Sequence, residues 1–142
     1  MATLKEKIIA EEQNISQTIE KLNRTFSKKK RSSAELAGVA MFLCNIYNGI
    51  ENILKLILKS KVVPIPSSDR WHKELLELSV SKRIISKDLS DKLVDYLDFR
   101  HFALQSYALI LDEVELKPLV DNIPNVYDNF TSEINAVLEI EE

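Results

Sequence analysis

The sequence predicts an all-α fold in which four or five helices form an antiparallel bundle. Only two glycines and four prolines occur among its 142 residues, so the chain has few of the residues that favour turns. Apolar residues recur at helical spacing along most of the chain, which is typical of helices with one buried face. A chain of this length can bury a substantial core, and we expect one domain over residues 1–142.

The first predicted helix is amphipathic and ends at the basic run Lys28–Arg31, where cations are favourable near the negative end of the helix dipole. Ser32 and Glu35 have the spacing of a capping box, so they start the second helix, which runs to about Ser60. Apolar residues cover so much of this second helix that we expect it to be central. They are Leu36, Val39, Leu43, Ile46, Ile50, Ile53, Leu54 and Ile57.

The residues after the second helix are predicted to form a loop over positions 62–68. Pro64 and Pro66 block helix formation, and the residues that precede them are pushed into extended conformations. A short third helix is expected to begin near Ser68 or Asp69. Its apolar residues are Trp71, Leu75, Leu76 and Leu78.

Two longer helices are predicted in the last part of the chain. Ser86 is a suitable N-cap for a fourth helix over about residues 87–111. The fifth segment is expected from about Pro118 to Leu138. Pro124 should kink or split it, because proline removes a backbone donor and crowds the preceding turn.

Composition excludes several classes of protein. The formal net charge of −3 argues against a protein that coats nucleic acid non-specifically, although it does not exclude a local anion site. The single cysteine, Cys44, rules out an internal disulfide, and its apolar neighbours favour a buried packing role over a catalytic thiol. The sequence contains no signal-peptide pattern and no membrane-length apolar run, so we expect a soluble cytoplasmic protein without a membrane partner.

An arginine interrupts the apolar stripe of the fourth helix. Arg100 falls on the same face as the apolar residues Leu89, Leu93, Leu97, Leu104, Tyr107 and Leu111. Removing an unpaired guanidinium from water costs several kcal/mol, so Arg100 must either pair with a carboxylate or bind an anion. Glu51 on the second helix is a plausible carboxylate, and a phosphate is the anion that best fits a planar set of guanidinium donors.

Other polar residues of this helix divide between its two faces. The pattern predicts that Tyr107 lies about two turns after Arg100 and faces the same way. An ordinary core tyrosine would also fit this position. His101 and Gln105 share a different, polar face with Asp98. On that face His101 is compatible with an ordinary surface histidine.

The residues around Arg100 resemble a family signature. The stretch Phe99-Arg100-His101-Phe102, followed by Tyr107, resembles the signature of HepT-like proteins, toxin ribonucleases of the HEPN superfamily whose motif is R-x-x-x-x-H-x-Y. The resemblance spans roughly residues 36–138 and implies a HEPN-like bundle that forms a homodimer with the motif helix near the subunit interface. Further segments resemble the family in the same order: Asn45–Ile53, Trp71–Leu76 and Leu116–Val120.

The resemblance also implies roles for individual residues. Arg100 matches the catalytic arginine and Tyr107 the motif tyrosine, whereas Gln105 occupies the position of the motif histidine. In the family, arginine and histidine from both subunits assist attack of a ribose 2′-hydroxyl on the adjacent phosphate without a metal. Glutamine can hydrogen-bond RNA, but it cannot exchange a proton near neutral pH as histidine does. His101, one turn before Gln105, and His72 on the third helix are therefore auxiliary candidates for proton transfer.

Two functions remain open from the sequence. The first is an endoribonuclease toxin of a HEPN/MNT toxin–antitoxin pair that acts on tRNA or mRNA and is silenced when a minimal nucleotidyltransferase antitoxin attaches AMP to Tyr107. ATP and Mg²⁺ would belong to that partner, so we expect no cofactor and no metal in this chain. The second is a non-catalytic relative that binds nucleotide, RNA or the nucleotidyltransferase. The basic run Lys28–Arg31 is either an RNA contact or a solvated helix end.

Overall fold

The computed structural model describes residues 2–105 and 112–141, with side chains described as far as residue 139. All of the regular structure in these ranges is helical, which confirms the predicted all-α class. The five helices are α1 (Leu4–Phe26), α2 (Ser33–Ser60), α3 (Trp71–Ser81), α4 (Lys87–Gln105) and α5 (Glu113–Glu141).

Helices α1 and α2 form an antiparallel pair. The Thr3 side chain caps α1 by accepting a hydrogen bond from the Glu6 amide at 3.1 Å. The predicted capping box is present at the start of α2, where the Ser32 hydroxyl and the Glu35 carboxylate each accept from the other residue's backbone. Because α2 has no side chain at Gly49, the Ile15 side chain of α1 packs directly against its backbone.

Helix α2 is central, as its apolar coverage predicts. It lies against every other helix and contributes the largest share of the buried residues of the bundle. One continuous core includes residues from all five helices. Each large apolar side chain removed from water there contributes about 1.5–3 kcal/mol before the entropic cost of ordering it. The fully buried side chains of α2 with the largest volumes are Tyr47, Leu43, Ile46, Ile50, Ile53, Leu54, Ile57 and Leu58.

Helix α4 is fixed against α5 at its start and near its middle. Ser86 is the predicted N-cap, and its hydroxyl accepts from the Leu89 amide at 3.1 Å. The Glu133 carboxylate of α5 in turn accepts from the Ser86 amide and hydroxyl. Farther along, the buried Tyr96 donates its hydroxyl hydrogen to the Leu119 carbonyl at 2.8 Å. These contacts set the antiparallel alignment of α4 and α5 and thereby the position of the residues that follow Tyr96.

Helix α5 differs from its prediction at the start. It begins at Glu113 rather than near Pro118, because the Asp112 side chain accepts from the Val114 amide at 2.9 Å and caps an earlier first turn. Proline has no amide hydrogen, so Pro118 cannot bond the carbonyl of Val114 one turn earlier. Val114 is 78% exposed, so water can bond that carbonyl instead. The helix also continues through Pro124 without splitting.

The remaining boundaries agree closely with their predictions. Helix α3 begins at Trp71, slightly after the expected Ser68 or Asp69, because the Ser68 hydroxyl accepts from the Arg70 amide and holds a turn before the helix. The predicted extension of α4 to about residue 111 lies outside the described residues. None of the described helices combines the length and apolar character that crossing a bilayer requires.

Candidate functional site around Arg100

Arg100 lies near the described end of α4 and is half-buried beside α2. Its Nε atom is fully buried and has no hydrogen-bond partner among the described residues. The positive charge is close enough to Cys44 and Tyr47 on α2 to favour the ionised forms of both side chains. The inward orientation predicted for Arg100 is therefore confirmed.

Glu51, which the sequence offers as a partner for Arg100, is instead bonded to His72. The glutamate is 3% exposed, and its two carboxylate oxygens lie 3.0 and 2.8 Å from His72 Nδ1. Within the described structure no ion pair joins Glu51 to Arg100. The expectation of that pair is wrong because the start of α3 places an imidazole directly against the carboxylate.

His72 is held on a second side by an aromatic contact. Its ring stacks on Trp71 with the centroids 3.6 Å apart and an angle of 29° between the planes. Lys55 Nζ lies 4.3 Å from the centroid of the Trp71 ring and so adds a cation–π contact to the same group. The orientation of the imidazole is therefore fixed by α2 and α3 together, while 24% of its side chain stays exposed.

Tyr47 is close enough to both charges of the site to be affected by each. Its hydroxyl oxygen is buried and has no hydrogen-bond partner among the described residues. Burial raises the pKa of Tyr47 well above its ordinary value, the negative charge of Glu51 raises it further, and Arg100 opposes the shift. We call Cys44, Tyr47, Glu51, His72 and Arg100 the Arg100 cluster.

The α2 members of the Arg100 cluster share one face of that helix. Cys44, Tyr47 and Glu51 follow one another at spacings of three and four residues, which stack side chains along one side of a helix. Cys44 is 5% exposed, so the predicted burial is confirmed. Its surroundings raise the pKa of the thiol through desolvation, against a smaller opposing effect of Arg100, so the uncharged form is favoured.

The other predicted site residues of α4 face the solvent. His101 and Gln105 are both exposed, in agreement with the polar face predicted for them. Leu104 is 63% exposed, so the apolar stripe of α4 leaves the core before this position. Tyr107 lies outside the described residues. Among residues 2–105 and 112–139, no group of three or more histidine, cysteine, aspartate or glutamate side chains is arranged to hold a metal ion.

The basic run after α1 is partly used for internal contacts. Arg31 donates to the carbonyls of Phe26 and Lys28 and pairs with Glu113 of α5 at 2.8 Å. Lys28 pairs with Glu35 and, together with the Ser32 amide, lowers the pKa of Glu35 to about 2. Lys29 and Lys30 are exposed. An RNA contact from this run would therefore fall mainly to those last two residues.

Tyr47 and Trp71 were not among the site residues predicted from the sequence. The signal for Tyr47 is its position one turn before Glu51 on the same helix face. The signal for Trp71 is its adjacency to His72 at the start of a helix. Neither signal alone separates a site residue from an ordinary core aromatic, because both depend on how α3 docks on α2.

Comparison with known proteins identifies the family. The model of the family described as HepT-like protein matches residues 38–140, which include the whole Arg100 cluster. The chain belongs to the HepT-like family. This confirms the resemblance seen in the sequence. No curated protein matches this HepT-like chain.

A solved structure has the same fold as this HepT-like chain. It is a crystal structure of a toxin-antitoxin with AMP-PNP, and the similarity has a TM-score of 0.79 at 19% sequence identity. The alignment covers 91% of this chain and 97% of that chain. At this identity the likeness establishes the fold, and it agrees with the predicted HEPN-like helical bundle.

Proposed function

We propose that this HepT-like protein is the toxin of a toxin–antitoxin pair and that it cleaves RNA. The observation that carries the proposal is the half-buried guanidinium of Arg100, whose Nε has no partner among the described residues. Membership of the HepT-like family supports a toxin, and the similar fold in a toxin-antitoxin structure agrees with it.

Arg100 would bind the scissile phosphate. A phosphodiester offers charge-assisted hydrogen bonds to the guanidinium and neutralises a cation that forms no ion pair with the described residues. As a 2′-hydroxyl attacks, negative charge grows on the non-bridging oxygens, and a fixed cation beside them stabilises that state more than the ground state. Cleavage would then proceed without a metal and leave a cyclic phosphate and a 5′-hydroxyl end. Gln105 would contribute hydrogen bonds to the RNA, since its amide cannot act as an acid or a base.

A second copy of this chain would complete the site. Large apolar side chains are exposed on two helices of the bundle. On α4, close to Arg100 in the sequence, Phe102 is 49% and Leu104 63% exposed, and on α2 Met41 is 56% exposed. Such side chains are unfavourable in water and favourable in an interface. Burying them between two copies would bring two Arg100 residues to one junction, as the homodimer expected for this family requires.

The antitoxin partner would be a minimal nucleotidyltransferase that attaches AMP to Tyr107. AMP-PNP is an ATP analogue, and its presence in the toxin-antitoxin structure of the same fold supports nucleotide chemistry in such a pair. An adenylate on Tyr107, which belongs to the same motif as Arg100, would place a phosphate near the guanidinium and exclude the RNA backbone. ATP and Mg²⁺ would be supplied with the partner, and the pair would act in the cytoplasm on tRNA or mRNA.

Cleavage of RNA in the presence of EDTA tests this function. Purified protein and the Arg100→Ala variant are incubated with tRNA or mRNA, and the new ends are analysed. We expect the wild-type protein to produce 5′-hydroxyl ends and the variant to be at least about 100-fold slower, because a preorganised charge at the developing anion is lost. Intact RNA with both proteins, at high protein concentration, would contradict a ribonuclease.

A non-catalytic binding protein is the second candidate, and Gln105 favours it. The residue at the motif position lacks a proton that it can exchange, so cleavage would be absent even if RNA is bound. This candidate predicts retained RNA binding, no cleavage by the wild-type protein and a gain of cleavage in Gln105→His. Cleavage by the wild-type protein that depends on Arg100 would exclude it.

A further inference from the structure

His72 has a more specific environment than a surface histidine requires. Its Nδ1 faces both oxygens of a carboxylate that is 3% exposed, and its ring stacks on Trp71 at 3.6 Å. A buried carboxylate is stable only when a good donor satisfies it. Glu51 and His72 therefore form a fixed pair in which the imidazole cannot turn freely.

The Glu51 contact determines which imidazole nitrogen is available. A carboxylate only accepts hydrogen bonds, so Nδ1 must carry the hydrogen and donate it to Glu51. In the neutral ring Nε2 is then the unprotonated nitrogen. Nε2 has no partner among the described residues, and 24% of the side chain is exposed. The Glu51 contact thus leaves Nε2 as the basic nitrogen of a partly exposed ring.

His72 and Arg100 belong to the same cluster. Glu51, which holds His72, and Arg100 both act on the charge state of the buried Tyr47 hydroxyl. By contrast, the exposed His101 follows Arg100 immediately on α4 and is rotated from it by about 100° around the helix axis. Of the two histidines in the chain, His72 is the one whose ring contacts the buried Glu51 carboxylate.

We propose that His72 is the proton-transfer group of this site, with Glu51 and Trp71 as its positioning residues. The inference rests on the proposed ribonuclease function and assigns the step that Gln105 cannot perform. Nε2 of His72 takes the proton of the attacking 2′-hydroxyl while the bond from that oxygen to phosphorus forms and the bond to the 5′-oxygen breaks. The departing 5′-oxygen takes a proton from water, and the imidazolium afterwards returns its proton to the solvent.

Substitution by asparagine separates proton transfer from structure. The side-chain amide introduced by His72→Asn can still donate to Glu51, so the buried carboxylate remains satisfied, but it cannot exchange a proton. We expect RNA cleavage to fall by about 10²- to 10⁴-fold, while affinity for RNA and the melting temperature stay near those of the wild-type protein. The matched control is His101→Asn, which replaces the exposed histidine and should cleave at the wild-type rate.

Rescue by small bases distinguishes chemistry from packing. In His72→Gly, added imidazole should restore cleavage, and a series of substituted imidazoles should restore it more strongly as their basicity increases. A purely structural role predicts rescue that does not follow basicity. The variant His72→Gln, whose side-chain amide can also donate to Glu51, decides the question if His72→Asn proves to be unfolded.

The outcomes separate the two proposals. Cleavage by the wild-type protein that depends on Arg100 but is unchanged in His72→Asn would overturn the role of His72 and leave the ribonuclease proposal intact. No cleavage by the wild-type protein would overturn both. Loss of cleavage in His72→Asn with retained RNA binding, and rescue that follows basicity in His72→Gly, would establish the assignment.

Discussion

Two arginines of this chain show how the same side chain serves a structural or a binding role. Arg31 donates to two carbonyls, pairs with Glu113 and lies 4.3 Å from the centroid of the Phe26 ring, so its donors are used within the fold. Arg100 is half-buried too, yet its Nε has no partner among the described residues. Burial without a partner is costly, and the proposed phosphate ligand would supply the counter-charge at Arg100.

Attachment of AMP is predicted at the single residue Tyr107. When the protein is incubated with ATP, Mg²⁺ and the small nucleotidyltransferase expected from a neighbouring reading frame, we expect mass spectrometry to show AMP-sized additions. Tyr107→Phe removes the phenolic oxygen that would be modified, so the additions should disappear. Additions of the same size on Tyr107→Phe would show that another residue is the acceptor.

The site could be predicted from the sequence only in part. The inward position of Arg100 follows from helical spacing alone, which is why that prediction holds. The partner of Glu51 was predicted wrongly because helical spacing describes one helix at a time. The contact between Glu51 and His72 depends on the docking of α3 on α2, which is set by packing between elements and leaves no periodic signal in either segment.

At the scale of the helices, the contact between α1 and α2 depends on one glycine. A Cβ atom added at Gly49 would lie 2.6 Å from Ile15 Cγ1 and 2.8 Å from Ile15 Cδ1, which is closer than packed carbon atoms allow. Ile15 is itself buried, so its side chain would have to repack to make room. The close approach of the two helices therefore requires glycine at this position.

Gly49→Ala should destabilise the protein although alanine favours a helix. Overpacking at a buried contact costs about 1–3 kcal/mol, whereas the gain in helix propensity is at most about 1 kcal/mol. Urea unfolding would measure the loss. The matched control is Gly38→Ala in the same helix, where a Cβ would meet nothing within 4 Å and a stabilisation of up to about 1 kcal/mol is expected. Equal effects of the two substitutions would contradict the packing explanation.

The helices themselves were predicted best where local signals agree. The limits of α1 and α2 follow from their apolar stripes, from the basic run and from the Ser32 capping box, and the structure confirms both. The start of α5 was predicted too late because Pro118 resembles a helix start. An aspartate cap at Asp112 and an exposed carbonyl at Val114 allow the helix to begin earlier.

At the scale of the whole molecule, an acidic protein is proposed to bind a polyanion. The net charge of −3 opposes long-range attraction of RNA, and the cations Lys28 and Arg31 are already used in internal contacts. Binding must then depend on a local site rather than on the general charge of the surface. We therefore expect the affinity for RNA to be unusually sensitive to Arg100.

The affinity for an uncleavable RNA tests this claim most directly. An RNA with methylated 2′-hydroxyls is titrated with the wild-type protein and with Arg100→Ala at fixed ionic strength, so that binding is measured separately from chemistry. Losing hydrogen bonds to a charged group costs about 1.5–3 kcal/mol each, so we expect the variant to bind roughly 10- to 100-fold more weakly. Equal affinities of the two proteins would contradict an anion site at Arg100.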